Sequence, residues 1–233
     1  MLQDMWEEDN LSVFKLNARI HTMLPNPNIK KVLVILDSTY PTLPMHEIHG
    51  HDAFQMLVAV ILSQRSRDSV TVPTAALLFQ KVHTPQEFID MPIQELEDVI
   101  RPIGFYRDKA RAIVQMCQTL VDQYDGQVPR TEEELLSLPQ VGRKTANIML
   151  TTFFDTPQIA VDIHVHRITN RLGWVATSKV EDTEVALTQR VPKKFHSIVN
   201  RVFVAHGQQV CLPRHPKCAQ CPIESYCPRI GVS

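Results

Sequence analysis

Four of the five cysteines lie close together at the C-terminal end, and they constrain how that end can fold. Cys211, Cys218, Cys221 and Cys227 follow the spacing C-x6-C-x2-C-x5-C. Clustered cysteines in a chain without a secretory signal favour a metal site over disulfides. Four thiolates suit either a tetrahedral zinc ion or a cubane iron–sulfur cluster. The gap of six residues is unusual for a zinc ribbon, so the spacing by itself favours iron and sulfur slightly.

The rest of the chain has the composition and periodicity of a helical globular protein. It has 233 residues, 44% of them hydrophobic and only 7 of them glycine. Apolar residues recur mostly at helical spacing, and the alternation typical of strands is rare. Only the segments 30–37 (KKVLVILD) and 157–163 (PQIAVDI) could be strands, and the first fits a helix equally well. We therefore expect an all-α fold.

Capping residues indicate where several helices begin and end. Thr84 should cap a helix that starts with Pro85, and Thr131 should open a capping box with Glu134. The segment 107–124 reads as a long amphipathic helix that ends at Asp125-Gly126, with Cys117 as a core residue on its apolar face. Other helices are expected to follow Asp68, to begin near Gly142, and to cover roughly 163–172, 181–190 and 195–205.

Charge and targeting signals restrict the protein's location but not its ligand. The formal net charge is −1, from 24 Lys+Arg and 25 Asp+Glu, which neither favours nor excludes nucleic acid. The first ten residues are acidic and lack the basic and apolar parts of a signal peptide. The longest apolar run, 54–62, is too short to cross a bilayer. We expect a soluble, intracellular protein that does not bind membranes.

Residues 138–150, LPQVGRKTANIML, place two cations where a helix begins. Arg143 and Lys144 follow Gly142 at this start, although the helix dipole is already positive there and attracts anions. The placement makes sense if an anion such as a phosphate docks at the turn, or if the lysine works without its proton. A solvated basic turn is the simpler alternative.

Together with 159–175, IAVDIHVHRITNRLGWV, and the cysteine tail, this turn resembles the endonuclease III family of helix-hairpin-helix DNA glycosylases. The likeness runs from about residue 30 to 227. It implies two helical domains with a cleft between them and a [4Fe–4S] cluster held by the four C-terminal cysteines. The first domain would be a six-helix barrel with the helix-hairpin-helix motif, at 48–155. The second would join 1–47 to 156–233 and carry the cluster.

The resemblance implies a bifunctional DNA N-glycosylase and abasic-site lyase. Its substrates would be oxidised or saturated pyrimidines, or an abasic site, in double-stranded DNA. Lys144 matches the nucleophile, which attacks the sugar C1′ and then breaks the strand by β-elimination through a Schiff base. Only a neutral amine attacks, and a helix N-terminus in a desolvated cleft disfavours the charged form. Asp162 matches an aspartate that stabilises the cationic sugar, and it could also cap the helix that follows.

Chemistry on a base requires its removal from the stack, so the resemblance also implies side chains that fill the gap. In the hairpin, backbone N–H groups would grip a phosphate, but Gln140 stands where the family has glycine and must adopt a turn conformation that a side chain resists. An exposed aromatic pair such as residues 105–106 is, taken alone, more often core. The expected DNA contacts are Gln64, Arg65, Phe105, Tyr106, Gly142, Arg143, Thr145, His164, Arg214 and Lys217.

Two other functions remain open at this point. A monofunctional mismatch glycosylase of the same fold usually has serine or tyrosine in place of Lys144. A non-catalytic DNA-binding module needs no lysine–aspartate pair such as Lys144 and Asp162. The loop 61–68 resembles prokaryotic members, so we expect a prokaryotic cytoplasm as the location. We also expect a monomer. The segment 11–24 could add an amphipathic helix to the cluster domain.

Overall fold

The computed structural model describes residues 28–41 and 52–232, and every regular element within them is a helix. The expected all-α class is therefore confirmed. The amphipathic helix expected at 11–24 lies outside the described residues. The α-helices are α1 (Ile29–Thr39), α2 (Ala53–Ser63), α3 (Asp68–Leu78), α4 (Pro85–Asp90), α5 (Ile93–Val99), α6 (Tyr106–Tyr124), α7 (Glu132–Ser137), α8 (Arg143–Phe153), α9 (Ile163–Arg171), α10 (Val180–Arg190) and α11 (His196–Gln209). Short 3-10 helices cover Lys193–Phe195, Cys218–Gln220 and Glu224–Tyr226.

Neither candidate strand is a strand. The segment 30–37 lies within α1, which buries Val32, Leu33 and Leu36 along one side. The segment 157–162 is extended without regular pairing, and α9 starts at Ile163. A short apolar run fits a buried connection as well as it fits a strand, which explains the error.

The predicted caps are largely present. Thr84 accepts a hydrogen bond from the amide of Glu87 (3.3 Å), whose carboxylate accepts from the Thr84 amide (3.2 Å), so this capping box is complete. Thr131 accepts from the Glu134 amide in the same way, but the Glu134 carboxylate accepts from the Thr131 hydroxyl (2.6 Å) and not from its amide. Helix α6 ends at Asp125 in the left-handed conformation, as expected from the Asp-Gly pair.

Helices α2 to α8 surround a first hydrophobic core. Helix α2 lies at its centre, because Phe54 and the run 56–62 are buried on all sides of the helix. Helix α4 packs on α6, and α8 packs on α2. Cys117 is fully buried on α6, as expected, and burial raises its pKa to about 12.

A second core joins α1 to α9, α10, α11 and the C-terminal segment. Trp174 is fully buried there and packs edge to face against Phe203, with 5.4 Å between the ring centroids. The connection between α8 and α9 touches both units, since Asn147 of α8 donates to the Ile159 carbonyl (3.4 Å) and Asn200 of α11 donates to the Ala160 carbonyl (2.8 Å). The two helical domains thus meet where α8 and α9 begin. No helix in the described ranges combines the length and apolarity that a membrane span needs.

Candidate active site

Lys144 and Asp162 face each other at the starts of two helices. Lys144 lies in the first turn of α8, and Asp162 is the N-cap of α9. Asp162 Oδ1 accepts from the amides of His164 and Val165, both at 2.9 Å. Its Oδ2 lies 3.4 Å from Lys144 Nζ. The cap is therefore present, and it leaves the second carboxylate oxygen free to face the amine.

The two groups differ in their access to solvent. The Lys144 side chain is 48% exposed, whereas that of Asp162 is 11% exposed. An incoming ligand can therefore reach the amine while the carboxylate stays sheltered behind it.

A cleft of about 530 Å³ opens at this pair, between the two domains. It is large enough for a nucleotide-sized ligand. Apolar and polar side chains both line it, and they come mainly from α2, α8, α9 and α11. Its lining residues are Met56, Val60, Ser63, Arg65, Ser66, Asp68, Lys144, Ile148, Asp162, Ile163, His164, Val180, Asn200, Val204 and Gln208.

His164 lines the cleft in a half-buried position. Burial lowers its pKa below the usual 6.5, and the cations Arg167 and Lys144 lower it further, against the opposing effect of Asp162. Its Nδ1 lies 3.1 Å from the Arg167 guanidinium. His166, two residues further along and so on the opposite side of α9, packs inward instead, with Nδ1 2.7 Å from the Thr183 hydroxyl.

The cleft also contains a polar contact that the sequence did not reveal. Gln208 at the end of α11 donates to Asp68 Oδ2 at the start of α3, at 2.9 Å. This bond joins the two domains across the cleft. The partners are 140 positions apart, so no local pattern could have paired them.

The turn between α7 and α8 forms the expected hairpin. Gln140 has φ 62°, the left-handed conformation that glycine adopts without strain. Gly142 is the N-cap, and no side chain caps α8, so the first amides of this helix are available to an anion. Thr145 is only 4% exposed. Its side chain is therefore turned away from solvent, and the DNA contact expected from the backbone N–H groups of Gly142 to Thr145 stays a prediction.

Arg143 is exposed beside the hairpin, but it is not free. Its guanidinium lies 3.3 Å from Glu132 of α7 and 3.5 Å from Glu184 of α10. Both pairs are between partly exposed groups, which contribute little to stability. They hold the arginine over the turn.

Two loops meet beside the hairpin and stack on each other. Arg65 and Phe105 both adopt positive φ, 54° and 59°. The Arg65 guanidinium lies 5.7 Å from the centre of the Phe105 ring, which is 60% exposed. Tyr106 is half-buried against the first core. Gln64 donates through Nε2 to the Gln140 carbonyl at 2.9 Å, so the first loop is bonded to the hairpin.

The four C-terminal cysteines line one cavity and form no disulfide. In the described part of the chain, no three His, Cys, Asp or Glu side chains are grouped to hold a single metal ion. Four cysteine thiols around one cavity are the donor set that holds a cubane iron–sulfur cluster.

Groups around this cavity support its cysteines. Arg171 donates to Cys211 Sγ (3.2 Å) and to the carbonyls of Leu212 (2.8 Å) and Pro213 (2.9 Å). His206 Nε2 lies 3.6 Å from Cys221 Sγ, and burial lowers the His206 pKa to about 4. Hydrogen bonds to the sulfurs are typical of sites that hold iron–sulfur clusters. Arg214 and Lys217, in the loop between the first two cysteines, are exposed.

Comparisons with known proteins agree with this arrangement. Residues 58–193 match the HhH-GPD superfamily of base excision DNA repair proteins. Residues 211–227 match the iron–sulfur binding domain of endonuclease III, and the chain carries a [4Fe–4S] cluster.

Curated relatives and solved structures cover most of the chain. Endonuclease III of Thermotoga maritima is 45% identical over 176 residues, which is 76% of this chain and 83% of that protein. Endonuclease III of Bacillus subtilis is 36% identical over 206 residues, or 86% of this chain and 93% of that protein. The structure of a non-covalent endonuclease III–DNA complex superimposes with a TM-score of 0.80 at 37% identity, over 89% of this chain and 97% of that one. A trapped endonuclease III–DNA covalent intermediate matches with the same TM-score, identity and shares of both chains.

The cleft with its lysine and aspartate, the hairpin and the cysteine cavity thus occur in a chain that matches its relatives over most of its length. The chain is a base excision repair enzyme and belongs to the endonuclease III family of the HhH-GPD superfamily.

Proposed function

We propose that Lys144 is the nucleophile and Asp162 the supporting carboxylate of a DNA glycosylase and abasic-site lyase for oxidised or saturated pyrimidines. The observation that carries this proposal is the separation of 3.4 Å between Lys144 Nζ and Asp162 Oδ2 inside the cleft between the domains. A relative 37% identical to this chain has been solved as a trapped covalent intermediate with DNA. Covalent attack by a protein side chain therefore fits the family.

The residues of the cleft define a sequence of steps. The damaged nucleotide enters the cleft, and the Lys144 amine attacks C1′ of its deoxyribose. The bond from C1′ to the base breaks, and the base leaves with the bonding electrons and takes up a proton. Asp162 is negatively charged beside the sugar and stabilises the positive charge that develops there. Its Oδ2 is also placed to accept the proton that the attacking amine releases.

The sugar ring then opens, and the lysine nitrogen forms a Schiff base with C1′. Loss of a proton from C2′ allows the 3′ phosphate to leave, which cuts the strand by β-elimination. Hydrolysis of the Schiff base returns the amine. A monofunctional enzyme would use water in the first step and would leave the strand intact.

The chain binds DNA, and we assign its contacts to three surfaces. The first amides of α8, from Gly142 to Thr145, bind a phosphate without reading sequence. Arg143, Arg214 and Lys217 add positive charge along the backbone of the duplex. His164 faces the extruded nucleotide from α9.

The stacked loops fill the gap that the extruded base leaves. Phe105 is the apolar wedge, and Arg65 enters beside it from the other loop. Gln64 orients the first loop through its bond to the hairpin, and Tyr106, which follows Phe105, lies near the base pocket. The contact between the Arg65 guanidinium and the Phe105 ring makes the two side chains one insertion unit.

Cys211, Cys218, Cys221 and Cys227 would hold the [4Fe–4S] cluster, which would cross-link the tail, and no step of the reaction is assigned to it. Cys211 and Cys218 would hold the exposed cationic loop between them in one shape, ready for a phosphate. We assign the first core to a barrel domain at 48–155 and the second to a cluster domain formed by 1–47 and 156–233. The enzyme acts as a monomer in a prokaryotic cell.

Borohydride trapping tests the proposal. Borohydride reduces a Schiff base to a stable amine, so the protein should become covalently attached to a duplex with one damaged pyrimidine or an abasic site. Lys144→Ala should abolish the adduct. Lys81→Ala should not, because Lys81 is paired with Glu95 on the surface of the first domain.

Other outcomes select the alternatives. Base release without an adduct would indicate a monofunctional glycosylase, and DNA binding without either would indicate a non-catalytic module. A panel of duplexes with single oxidised, saturated or mispaired bases identifies the preferred lesion.

A further inference from the structure

Lys109 on α6 is a buried cation that the proposed chemistry does not use. It is 6% exposed, and it is the one buried lysine in the part of the chain that the structure describes. Within those residues it makes no ion pair. Its ammonium instead donates to the carbonyls of Leu62 (2.8 Å) and Gln64 (2.5 Å) and lies 3.5 Å from the Ser66 hydroxyl.

These acceptors are at the C-terminal end of α2. The last carbonyls of a helix have no partner within it, and the negative end of its dipole attracts a cation. The last turn of α2 contains no basic residue. Lys109 supplies that cation from another helix, so it caps α2 at the point where the loop with Gln64 and Arg65 begins.

The same loop is bonded to the two other segments that face DNA. Gln64 donates to the Gln140 carbonyl in the hairpin (2.9 Å). Ser66 accepts from the Gly104 amide (3.3 Å), next to Phe105. The ammonium of Lys109 thus lies where the hairpin, the loop with Gln64 and Arg65, and the loop with Phe105 meet.

Burial of the Lys109 ammonium costs free energy, because the charged group loses its hydration. Burial lowers the pKa of Lys109 to about 8. An apolar side chain would fill the same space in the core without the loss of hydration. A cation at this position is therefore explained better by its hydrogen bonds to the carbonyls of Leu62 and Gln64 than by packing.

We propose that Lys109 is a positioning residue for base extrusion. Its ammonium fixes the loop 62–66 so that Arg65 and Phe105 enter the duplex as one unit. Lys109 itself does not reach DNA or the reacting atoms. The proposal rests on the function assigned to the cleft, since it concerns how the nucleotide arrives there.

The test compares a substrate that needs extrusion with one that does not. The first is a duplex with one paired, oxidised pyrimidine and 2-aminopurine beside it, which fluoresces when the stack opens. The second is a single strand with an abasic site, in which no base has to be displaced. For Lys109→Met we expect a loss of about tenfold or more in the single-turnover rate and in the fluorescence change on the duplex. We expect little loss in borohydride trapping on the single strand.

Three further variants complete the experiment. Lys109→Gln keeps a polar donor and guards against a methionine variant that does not fold, and it should show the same selective loss. Lys109→Arg keeps the charge and should recover part of the duplex rate. Cys117→Ala lies on the same helix and contacts the core alone, so it controls for general destabilisation and should affect both substrates equally.

An equal loss on both substrates in the Lys109 variants, matching Cys117→Ala, would overturn the proposal and leave a structural role only. Unchanged rates on both would overturn it as well. The covalent adduct on the single strand depends on Lys144. An adduct with the wild-type protein therefore shows that the proposed function holds even where the proposal for Lys109 fails.

Discussion

Asp162 faces Lys144 with one carboxylate oxygen and caps helix α9 with the other. Oδ2 lies 3.4 Å from the lysine amine, while Oδ1 accepts two amide hydrogen bonds from the first turn of α9. The cap fixes the carboxylate, so the free oxygen faces the amine without a further support. Charge and cap can therefore be separated by substitution.

Asp162→Asn should remove the charge and keep the cap. Asparagine caps about as well as aspartate, so the free energy of unfolding should change by about 0.5 kcal/mol or less. Base release should fall on the order of a hundredfold, because the cationic sugar loses its partner. Single-turnover kinetics and urea denaturation measure the two effects.

Asp162→Ala is the matched comparison. It loses the cap too and should cost about 1 kcal/mol more than the asparagine variant. An asparagine variant that keeps full activity would show that the negative charge is not required.

Gln140→Gly should stabilise the protein by about 1 kcal/mol, because glycine adopts positive φ without strain. DNA affinity should be retained, since Gln64 bonds to the backbone carbonyl of residue 140, which glycine also has. Urea denaturation and a binding titration test both statements. Asp155→Gly, at φ 48° and away from the hairpin, shows how much relief a positive φ gives elsewhere. A less stable Gln140→Gly variant would mean that the side chain contributes to the turn.

Lys109 should make stability depend on pH above neutrality. Its pKa is about 8 in the folded protein, against an ordinary 10.5. Between these values the unfolded chain binds a proton that the folded chain lacks, so the free energy of unfolding rises with pH. The rise attributable to Lys109 should be about 3 kcal/mol at most. Below pH 8 both states are charged and this contribution is flat.

Lys109→Met removes the titrating group and therefore serves as the control. Denaturation of both proteins at several pH values from 7 to 10.5 isolates the difference. The same slope in both would contradict a lowered pKa at this lysine.

Loss of the cluster should release the C-terminal segment before the rest of the molecule. Residues 211–232 are held by short helices and by the cysteine cavity, whereas the first core has its own apolar interior. Hydrogen exchange after oxidative removal of the cluster should show early loss of protection in this segment only. Simultaneous loss throughout the first core would contradict this order.

The same loss should weaken the salt dependence of DNA binding. If Arg214 and Lys217 each neutralise one phosphate, the slope of log K against log salt should fall by about 2. The double variant Arg214→Ala/Lys217→Ala, with the cluster intact, should show the same reduction. An unchanged slope would place both cations away from the DNA.

Local signals predicted much of this structure. Thr84, Asp125 and Asp162 each end or begin a helix as the sequence indicates, because caps depend on residues within one turn. The hairpin was predictable for the same reason, including the strained turn at Gln140. Of the two candidate strands, the segment 30–37 takes the helical alternative that its pattern fitted equally well. The segment 157–163 was wrong, because a short apolar run does not distinguish a strand from a buried connection.

Contacts between distant segments were out of reach, and the bond between Asp68 and Gln208 is an example. The burial of the Thr145 side chain also depends on such packing, while the DNA contact expected of its backbone amide stays a prediction. The burial of Lys109, in contrast, could have been predicted from the sequence. It shares the face of α6 with Ile113 and Leu120, both fully buried, and a lysine in register with such a face is a signal for a buried amine.

Asp162 caps the N-terminus of helix α9, and Arg171 is its last residue. The Arg171 guanidinium donates hydrogen bonds to the sulfur of Cys211 and to two carbonyls of the tail. An α-helix rises about 1.5 Å per residue, and hydrogen bonds join each turn to the next. A helix of this length is therefore stiff. Oxidative damage at the iron–sulfur end would therefore remove the partners of Arg171 at one end of the helix whose other end presents Asp162 to Lys144. The tail is in this sense a distant support of the reaction centre.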